Sequence, residues 1–121
     1  MNNINTLKVI NSTKNVVICE NCGLADRIPT RIKGLIGRKV LKNDEGLVIT
    51  GCRSIHSAFM QFPICAIFID KKGKVVKILD NFRTYRMSGY YYKADKVIEL
   101  PPWKAKETKT EVGDVIIITD N

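Results

Sequence analysis

Short apolar stretches rich in β-branched residues recur along the chain, and polar residues typical of turns separate them. Seven of these stretches predict strands: Leu7–Ile10, Val16–Cys19, Leu47–Thr50, Ile64–Ile69, Lys74–Leu79, Val97–Leu100 and Val115–Thr119. Ile64–Ile69 is the longest apolar run and contains no charged residue. A strand has no polar positions when both of its faces are covered, so this strand is predicted to run through the middle of the molecule.

One helical pattern interrupts the strands near residues 26–38. Its apolar residues recur at the spacing of a single helix face, at Ile28, Ile32, Leu35 and Ile36. Asp26 is a candidate N-cap, and two glycines, Gly34 and Gly37, predict that the helix ends or bends there. Seven to eight short strands with one short helix predict a mainly β fold, either a sandwich or a partly open barrel.

The connections between these elements carry further predictions. The sequence Asp70-Lys-Lys-Gly73 predicts a four-residue hairpin loop in which Gly73 adopts a positive φ. Segment 81–95 has neither helical nor strand periodicity, so we expect a long exposed loop. Trp103–Glu111 is polar and predicts a helical turn.

Length and composition indicate one ordinary globular domain, residues 1–121, because 45% of the residues are hydrophobic and 26% are charged. The first residues lack the basic and apolar regions of a signal peptide. No apolar stretch approaches the roughly 18 residues that a membrane span needs. We therefore expect a cytoplasmic protein whose four cysteines are reduced thiols.

Several short segments occur in an order that matches one protein family. They are Gly34-Leu-Ile-Gly-Arg38, Leu41, Gly46-Leu47, Ile55-His56, Met60, Phe62-Pro63-Ile64, Phe68-Ile69-Asp70, Gly73, Val75-Val76, Glu99-Leu100-Pro101 and Gly113-Asp114. On these segments the chain resembles DUF192 over about residues 7–119. The resemblance implies a compact, mainly β fold and a bacterial or archaeal source, and it implies no activity, since none is established for that family.

The chain departs from the family's pattern at two places. After Phe62-Pro63-Ile64 the family usually has an aspartate, whereas this chain has Cys65. The family's usual Glu-Leu-Pro-Ala-Gly becomes Glu99-Leu-Pro-Pro-Trp103 here. If the aspartate served a shared function, this chain lacks that function or performs it differently.

The residues with the strongest binding chemistry lie in the predicted loop and in the family segments. Loop 82–93 interleaves cations with tyrosines, a composition that serves protein contacts, covers a sheet or holds single-stranded nucleic acid. Arg38 follows two glycines and suits either an anion or a structural ion pair with Asp70 or Asp44. The candidate ligand-binding residues are Arg38, His56, Met60, Cys65, Arg83, Tyr85, Arg86 and Tyr91.

The cysteines and the single histidine suggest metal or thiol chemistry. Cys52, His56 and Met60 recur at intervals of four residues, which would align them only on a helix. Cys19 and Cys22 form a C-x-x-C motif without the βαβ context of redox proteins and without a second such motif to complete a zinc site. The candidate metal ligands are Cys19, Cys22, Cys52 and His56, with ordinary reduced thiols as the simpler interpretation.

The sequence contains no recognisable hydrolase or transferase constellation and predicts no cofactor, although a dyad of His56 with Cys52 or Cys65 stays open. The first functional hypothesis is a binding domain for a protein partner or a small anionic ligand, without catalysis. The second is a thiol- or metal-dependent protein that uses Cys19 and Cys22, or Cys52, His56 and Cys65. The third, based on the net charge of +8, is a polyanion binder of the nucleic-acid type.

Overall fold

The computed structural model describes residues 6–25, 41–57 and 61–121. It contains seven strands, and all seven correspond to predicted ones: β1 (Leu7–Asn11), β2 (Val16–Ala25), β3 (Glu45–Thr50), β4 (Ile64–Ile69), β5 (Val75–Phe82), β6 (Lys96–Leu100) and β7 (Ile116–Asp120). Within these ranges one short helix, α1 (Lys104–Thr108), occupies the predicted helical turn. The helix predicted near residues 26–38 lies outside the described residues.

The strands form one curled sheet in the order β5-β4-β6-β3-β2-β1-β7. Every neighbouring pair is antiparallel except β2 and β3, which are parallel and pair Asn21–Ala25 with Glu45–Ile49. This parallel pairing explains why β2 extends six residues beyond its predicted end, since its second half takes its partner from a distant segment. The fold is therefore mainly β, as predicted, and the sheet forms a half-barrel.

The two edge strands, β5 and β7, meet at one end of the half-barrel. Three backbone hydrogen bonds of 2.8 Å join them: Val75 N–H to Asp114 O, Gly113 N–H to Val75 O, and Ile116 N–H to Gly73 O. Gly73 has the predicted positive φ, 85°. A Cβ atom at this position would lie 2.5 Å from the Ile116 carbonyl oxygen, so only glycine fits this closure without strain.

The sheet separates two apolar layers. The inner layer collects buried side chains from all seven strands together with Ala105 of α1, so we place it inside the curl. The outer layer covers the other face of β2 to β6 with side chains from the connecting segments, among them Ile55, Tyr91 and Ala94.

Strand β4 is buried along its whole length, which confirms that both of its faces are covered. Its residues alternate between the layers, with Cys65, Ile67 and Ile69 in the inner one and Ile64, Ala66 and Phe68 in the outer one. In the sheet order β4 lies one strand from the edge rather than at the centre. It is covered there because the connecting segments lie over its outer face.

Candidate functional site

Two irregular segments, 52–57 and 83–95, lie side by side and form what we call the paired loops. Four backbone N–H groups bond across them at 2.8–3.0 Å: Ser57 to Arg86 O, Tyr85 to Ser57 O, Ser88 to Ile55 O, and Tyr91 to Arg53 O. Segment 83–95 contains no helix or strand beyond an isolated bridge between Met87 and His56, as predicted for a loop. The predicted loop begins at Asn81, but Asn81 and Phe82 belong to β5. The backbone of the loop is nevertheless tied at several points.

The side chain of Ser57 strengthens this pairing from within. Ser57 is fully buried, and its hydroxyl accepts the Arg86 N–H at 3.0 Å and donates to the Arg83 carbonyl. Ser88 contributes similarly, since its Oγ accepts the Ile55 N–H at 2.8 Å. Neither serine was predicted as important. The one signal available was the position of Ser57 beside the only histidine.

Tyr91 anchors the paired loops to the sheet. Its ring meets the ring of Phe68 on β4 edge to face, with centroids 4.8 Å apart and an interplanar angle of 64°. The ammonium of Lys77 on β5 lies 5.9 Å from the centre of the Tyr91 ring. Of the predicted ligand-binding residues, Tyr91 therefore supports the surface by covering the sheet.

Predicted residues that do lie together on the exposed side are His56, Arg83, Tyr85 and Arg86. All four are exposed, and His56 forms an antiparallel bridge with Met87, which is 81% exposed. Tyr85 is 77% exposed and has a φ of 59°, which is costly for a bulky residue. The bond from the Tyr85 N–H to the Ser57 carbonyl holds this backbone conformation in place.

A groove of about 420 Å³ lies beside these residues. Its walls are the end of β5, from Leu79 to Phe82, and the first part of the loop, with Arg83, Arg86 and Met87. The groove thus offers two guanidinium groups next to an exposed thioether, while its one carboxylate among the described residues, Asp80, accepts N–H groups from α1. This combination suits a partner that carries both carboxylates and apolar groups.

Cys65 lies apart from this surface, in the inner layer on the opposite face of β4. Burial raises the pKa of its thiol, as does a hydrogen bond to the Asp80 carboxylate on β5. That carboxylate also accepts the N–H groups of Ala105 and Lys106 at 3.0 and 2.8 Å. Asp80 therefore caps α1 from the neighbouring strand, and Cys65 is a buried structural neighbour of this cap.

Cys19 and Cys22 lie together on the inner face of β2 because the strand contains a bulge. Leu7 pairs with Cys22 and Val9 with Cys19, so three residue steps on β2 face two on β1. The hydrogen bond from the Cys22 thiol lowers the pKa of Cys19, against the effect of burial. The same hydrogen bond, together with burial, raises the pKa of Cys22.

The four predicted metal ligands are not brought together. Cys19 and Cys22 belong to the inner layer, whereas Cys52 packs against the outer one and the adjacent His56 is exposed. Within residues 6–25, 41–57 and 61–121, no group of three or more histidine, cysteine, aspartate or glutamate side chains is arranged to hold a metal ion. Arg38 and Met60, the other predicted site residues, lie outside the described ranges.

Glu99 on β6 is a further buried titratable residue that was not predicted as a site residue. It is 4% exposed, and its strand partners are Leu47 and Ala66. Burial raises its pKa to about 7. The available signal was a carboxylate inside the apolar run Val97–Leu100, which fits badly in a strand covered on both faces.

Fold and surface together define a class of protein: a small half-barrel, with seven strands in the described ranges, whose outer face carries an exposed pair of loops rich in aromatic and basic residues. The DUF192 family model, described as an uncharacterized ACR, matches residues 9–118. The chain therefore belongs to the DUF192 family, as its sequence segments predicted.

Solved structures with the same fold come from two bacteria. A protein of unknown function from Novosphingobium aromaticivorans DSM 12444 has a TM-score of 0.80 and 20% identity, covering 93% of this chain and 83% of that one. A "putative transcription regulator" from Sinorhizobium meliloti 1021 has a TM-score of 0.80 and 18% identity, covering 93% and 92%. At these identities the likeness concerns the fold alone. No match is found among curated protein sequences.

In the described part of the chain, no helix is long and apolar enough to cross a bilayer.

Proposed function

We propose that this protein is a single-domain binding module that recognises a protein partner with an acidic surface, without catalysis. The contact surface is the exposed side of the paired loops, with His56, Arg83, Tyr85 and Arg86 at its centre. The observation that carries the proposal is the combination of a hydrogen-bonded loop backbone with exposed tyrosine, methionine and arginine side chains.

A rigid support matters because binding otherwise costs the entropy of ordering the loop. The backbone hydrogen bonds between the paired loops and the contact of Tyr91 with Phe68 order the loop when the protein folds, so binding does not have to order it. Tyr, Met and Arg are also the residues enriched in protein interfaces, where they supply most of the binding energy. A protein partner is favoured over a small anion because the groove beside Arg83 and Arg86 is open and has apolar neighbours.

The cysteines fit a cytoplasmic location for this module. Three of them, Cys19, Cys22 and Cys65, are buried thiols that form no disulfide. Reduced thiols persist in the cytoplasm, where disulfides are rare.

The test is affinity capture from an extract of the source organism, with captured proteins quantified by mass spectrometry. The key variant is Arg83→Gln with Arg86→Gln, because Ser57 contacts only the backbone of these two arginines. The matched control is Lys42→Gln with Lys109→Gln, an equal change of charge at two exposed positions.

We expect an acidic protein that the wild type and the control retain and the arginine variant loses. If every protein captured by the wild type is also captured by the arginine variant, the paired loops are not the contact surface.

A further inference from the structure

A second groove, of about 370 Å³, lies at the other end of the paired loops. Its walls come from three segments that are distant in sequence: Arg53, the hairpin residues Asp70 to Lys72, and Tyr92 to Ala94. The first groove lies at the start of β4, where Ile64 pairs with Phe82. The second groove lies at the end of β4, next to Asp70, which follows Ile69. The two grooves are therefore separate sites.

The charge of this second groove is strongly positive. Among the described residues, the groove is lined by four cations, Arg53, Lys71, Lys72 and Lys93, and by one carboxylate, that of Asp70. In the part of the chain that is described, none of these cations forms an ion pair with a carboxylate. Cations that converge on one concave surface create a field that attracts anions.

Asp70 offsets one of these four positive charges, but its carboxylate is engaged in the fold. Its Oδ1 accepts the backbone N–H groups of Lys72 and Lys74, both at 2.9 Å, which forms the hairpin turn. The next carboxylate along the loop, Asp95, is paired with Lys96 at 2.6 Å. The described residues of the groove therefore keep a net positive charge.

An aromatic ring stands in the same groove. Tyr92 is 72% exposed, and the ammonium of Lys93 lies 5.9 Å from the centre of its ring. The Arg53 Nε–H donates to the Tyr92 carbonyl at 3.3 Å, which holds this guanidinium beside the Tyr92 backbone. An exposed ring among cations is an arrangement that holds single-stranded nucleic acid, since the ring stacks on a base while the cations contact phosphates.

We infer that this groove binds single-stranded nucleic acid, with Lys71, Lys72, Lys93 and Arg53 on phosphates and Tyr92 stacked on one base. Single strands fit better than a duplex because a base reaches a protein ring only when it is unstacked from its neighbours. The inference does not rest on the proposed protein partner, because the two grooves share no residue.

The test measures fluorescence anisotropy of a labelled oligothymidylate at several salt concentrations. Lys71→Gln with Lys93→Gln removes two phosphate contacts, so the slope of log K against log salt becomes shallower by about 1.4. We expect affinity at 0.1 M salt to fall by about tenfold or more. Lys42→Gln with Lys106→Gln is the matched control, because these lysines lie before β3 and on α1, at the opposite end of the central strands.

Two substitutions separate base stacking from charge. Tyr92→Phe keeps the ring and binds the oligonucleotide like the wild type, whereas Tyr92→Leu binds it about tenfold more weakly with an unchanged salt slope. Inorganic polyphosphate has no bases, so Tyr92→Leu binds it like the wild type.

The inference would be overturned if the variant of Lys71 and Lys93 bound the oligonucleotide as tightly as the wild type. It would also be overturned if the control variant of Lys42 and Lys106 lost as much affinity as the variant of Lys71 and Lys93. Wild-type affinity in Tyr92→Leu would overturn it in favour of a simple polyanion surface. The arginine variant of the other groove keeps wild-type oligonucleotide affinity, so failure of one proposal leaves the other standing.

Discussion

The ring of Tyr91 meets the ring of Phe68 edge to face, at 4.8 Å between centroids, and this contact ties the paired loops to β4 one residue before the strand ends. Phe68 is fully buried in the outer layer, and Tyr91 covers it from the loop side. The contact therefore links the surface proposed for binding to the apolar structure of the sheet.

Tyr91→Ala is expected to lower the free energy of unfolding by about 2 kcal/mol, because it removes a half-buried ring and its aromatic contact. Tyr90→Ala is the matched control, since Tyr90 is 69% exposed and its loss is expected to change stability by less than about 0.5 kcal/mol. Urea denaturation followed by fluorescence measures both. Equal effects of the two substitutions would show that Tyr91 is not an anchor.

Gly73 and Gly113 provide a second matched pair, at the closure between β5 and β7. Both have positive φ values, 85° and 99°, but a Cβ on Gly73 would collide with the Ile116 carbonyl, whereas a Cβ on Gly113 would meet nothing within 4 Å. Gly113→Ala is expected to cost about 1 kcal/mol from backbone strain alone. Gly73→Ala is expected to cost at least about 2 kcal/mol, because strain and collision act together. Thermal unfolding of both variants tests this order, and a larger loss in Gly113→Ala would contradict the closure.

The buried carboxyl of Glu99 is expected to make stability depend on pH. Its pKa is about 7 in the folded protein and near 4.5 when exposed, so the folded state binds more protons between these values. Its contribution to stability is therefore greatest below pH 4.5 and falls as the pH rises through 7.

The change attributable to Glu99 is on the order of 3 kcal/mol. Glu99→Gln removes the titration, so the stability of the wild type relative to this variant should fall between pH 4 and pH 8. Urea unfolding of both proteins across this range provides the measurement. A difference that stays constant or rises with pH would show that Glu99 is charged throughout.

Thiol reactivity distinguishes the binding proposal from the thiol-dependent hypothesis. Cys19, Cys22 and Cys65 are at most 1% exposed, whereas Cys52 is half-buried near the surface. Native protein is expected to react with a thiol reagent rapidly at Cys52 and at the other three only on unfolding. Rapid modification of Cys19, or a disulfide between Cys19 and Cys22 after mild oxidation with a small disulfide, would favour the thiol hypothesis.

The strands could be predicted because their signals are local. Ile64–Ile69 has an uninterrupted apolar run, and Gly73 lies where a tight hairpin needs a positive φ, so both follow from a few neighbouring residues. The second half of β2 could not be found in this way. Residues 20–25 become a strand through parallel pairing with β3, a segment more than twenty residues away.

The candidate surface could be predicted only in part. The arginines and tyrosines of loop 82–93 stood out by composition, but the pairing of this loop with segment 52–57 depends on backbone hydrogen bonds that any side chain permits. Cys65 was grouped with His56 because the two are close in sequence. Their separation follows from the alternation of β4, which directs Cys65 to the inner layer.

The account depends most on the paired loops being a fixed structure, and amide hydrogen exchange resolved by residue tests this directly. The account predicts that the N–H groups of Ser57, Tyr85, Ser88 and Tyr91 exchange slowly, comparably to the amides of β5, because each donates to a carbonyl across the pair. Exchange of these four amides at the rate of an unstructured peptide, while the β5 amides stay protected, would contradict it.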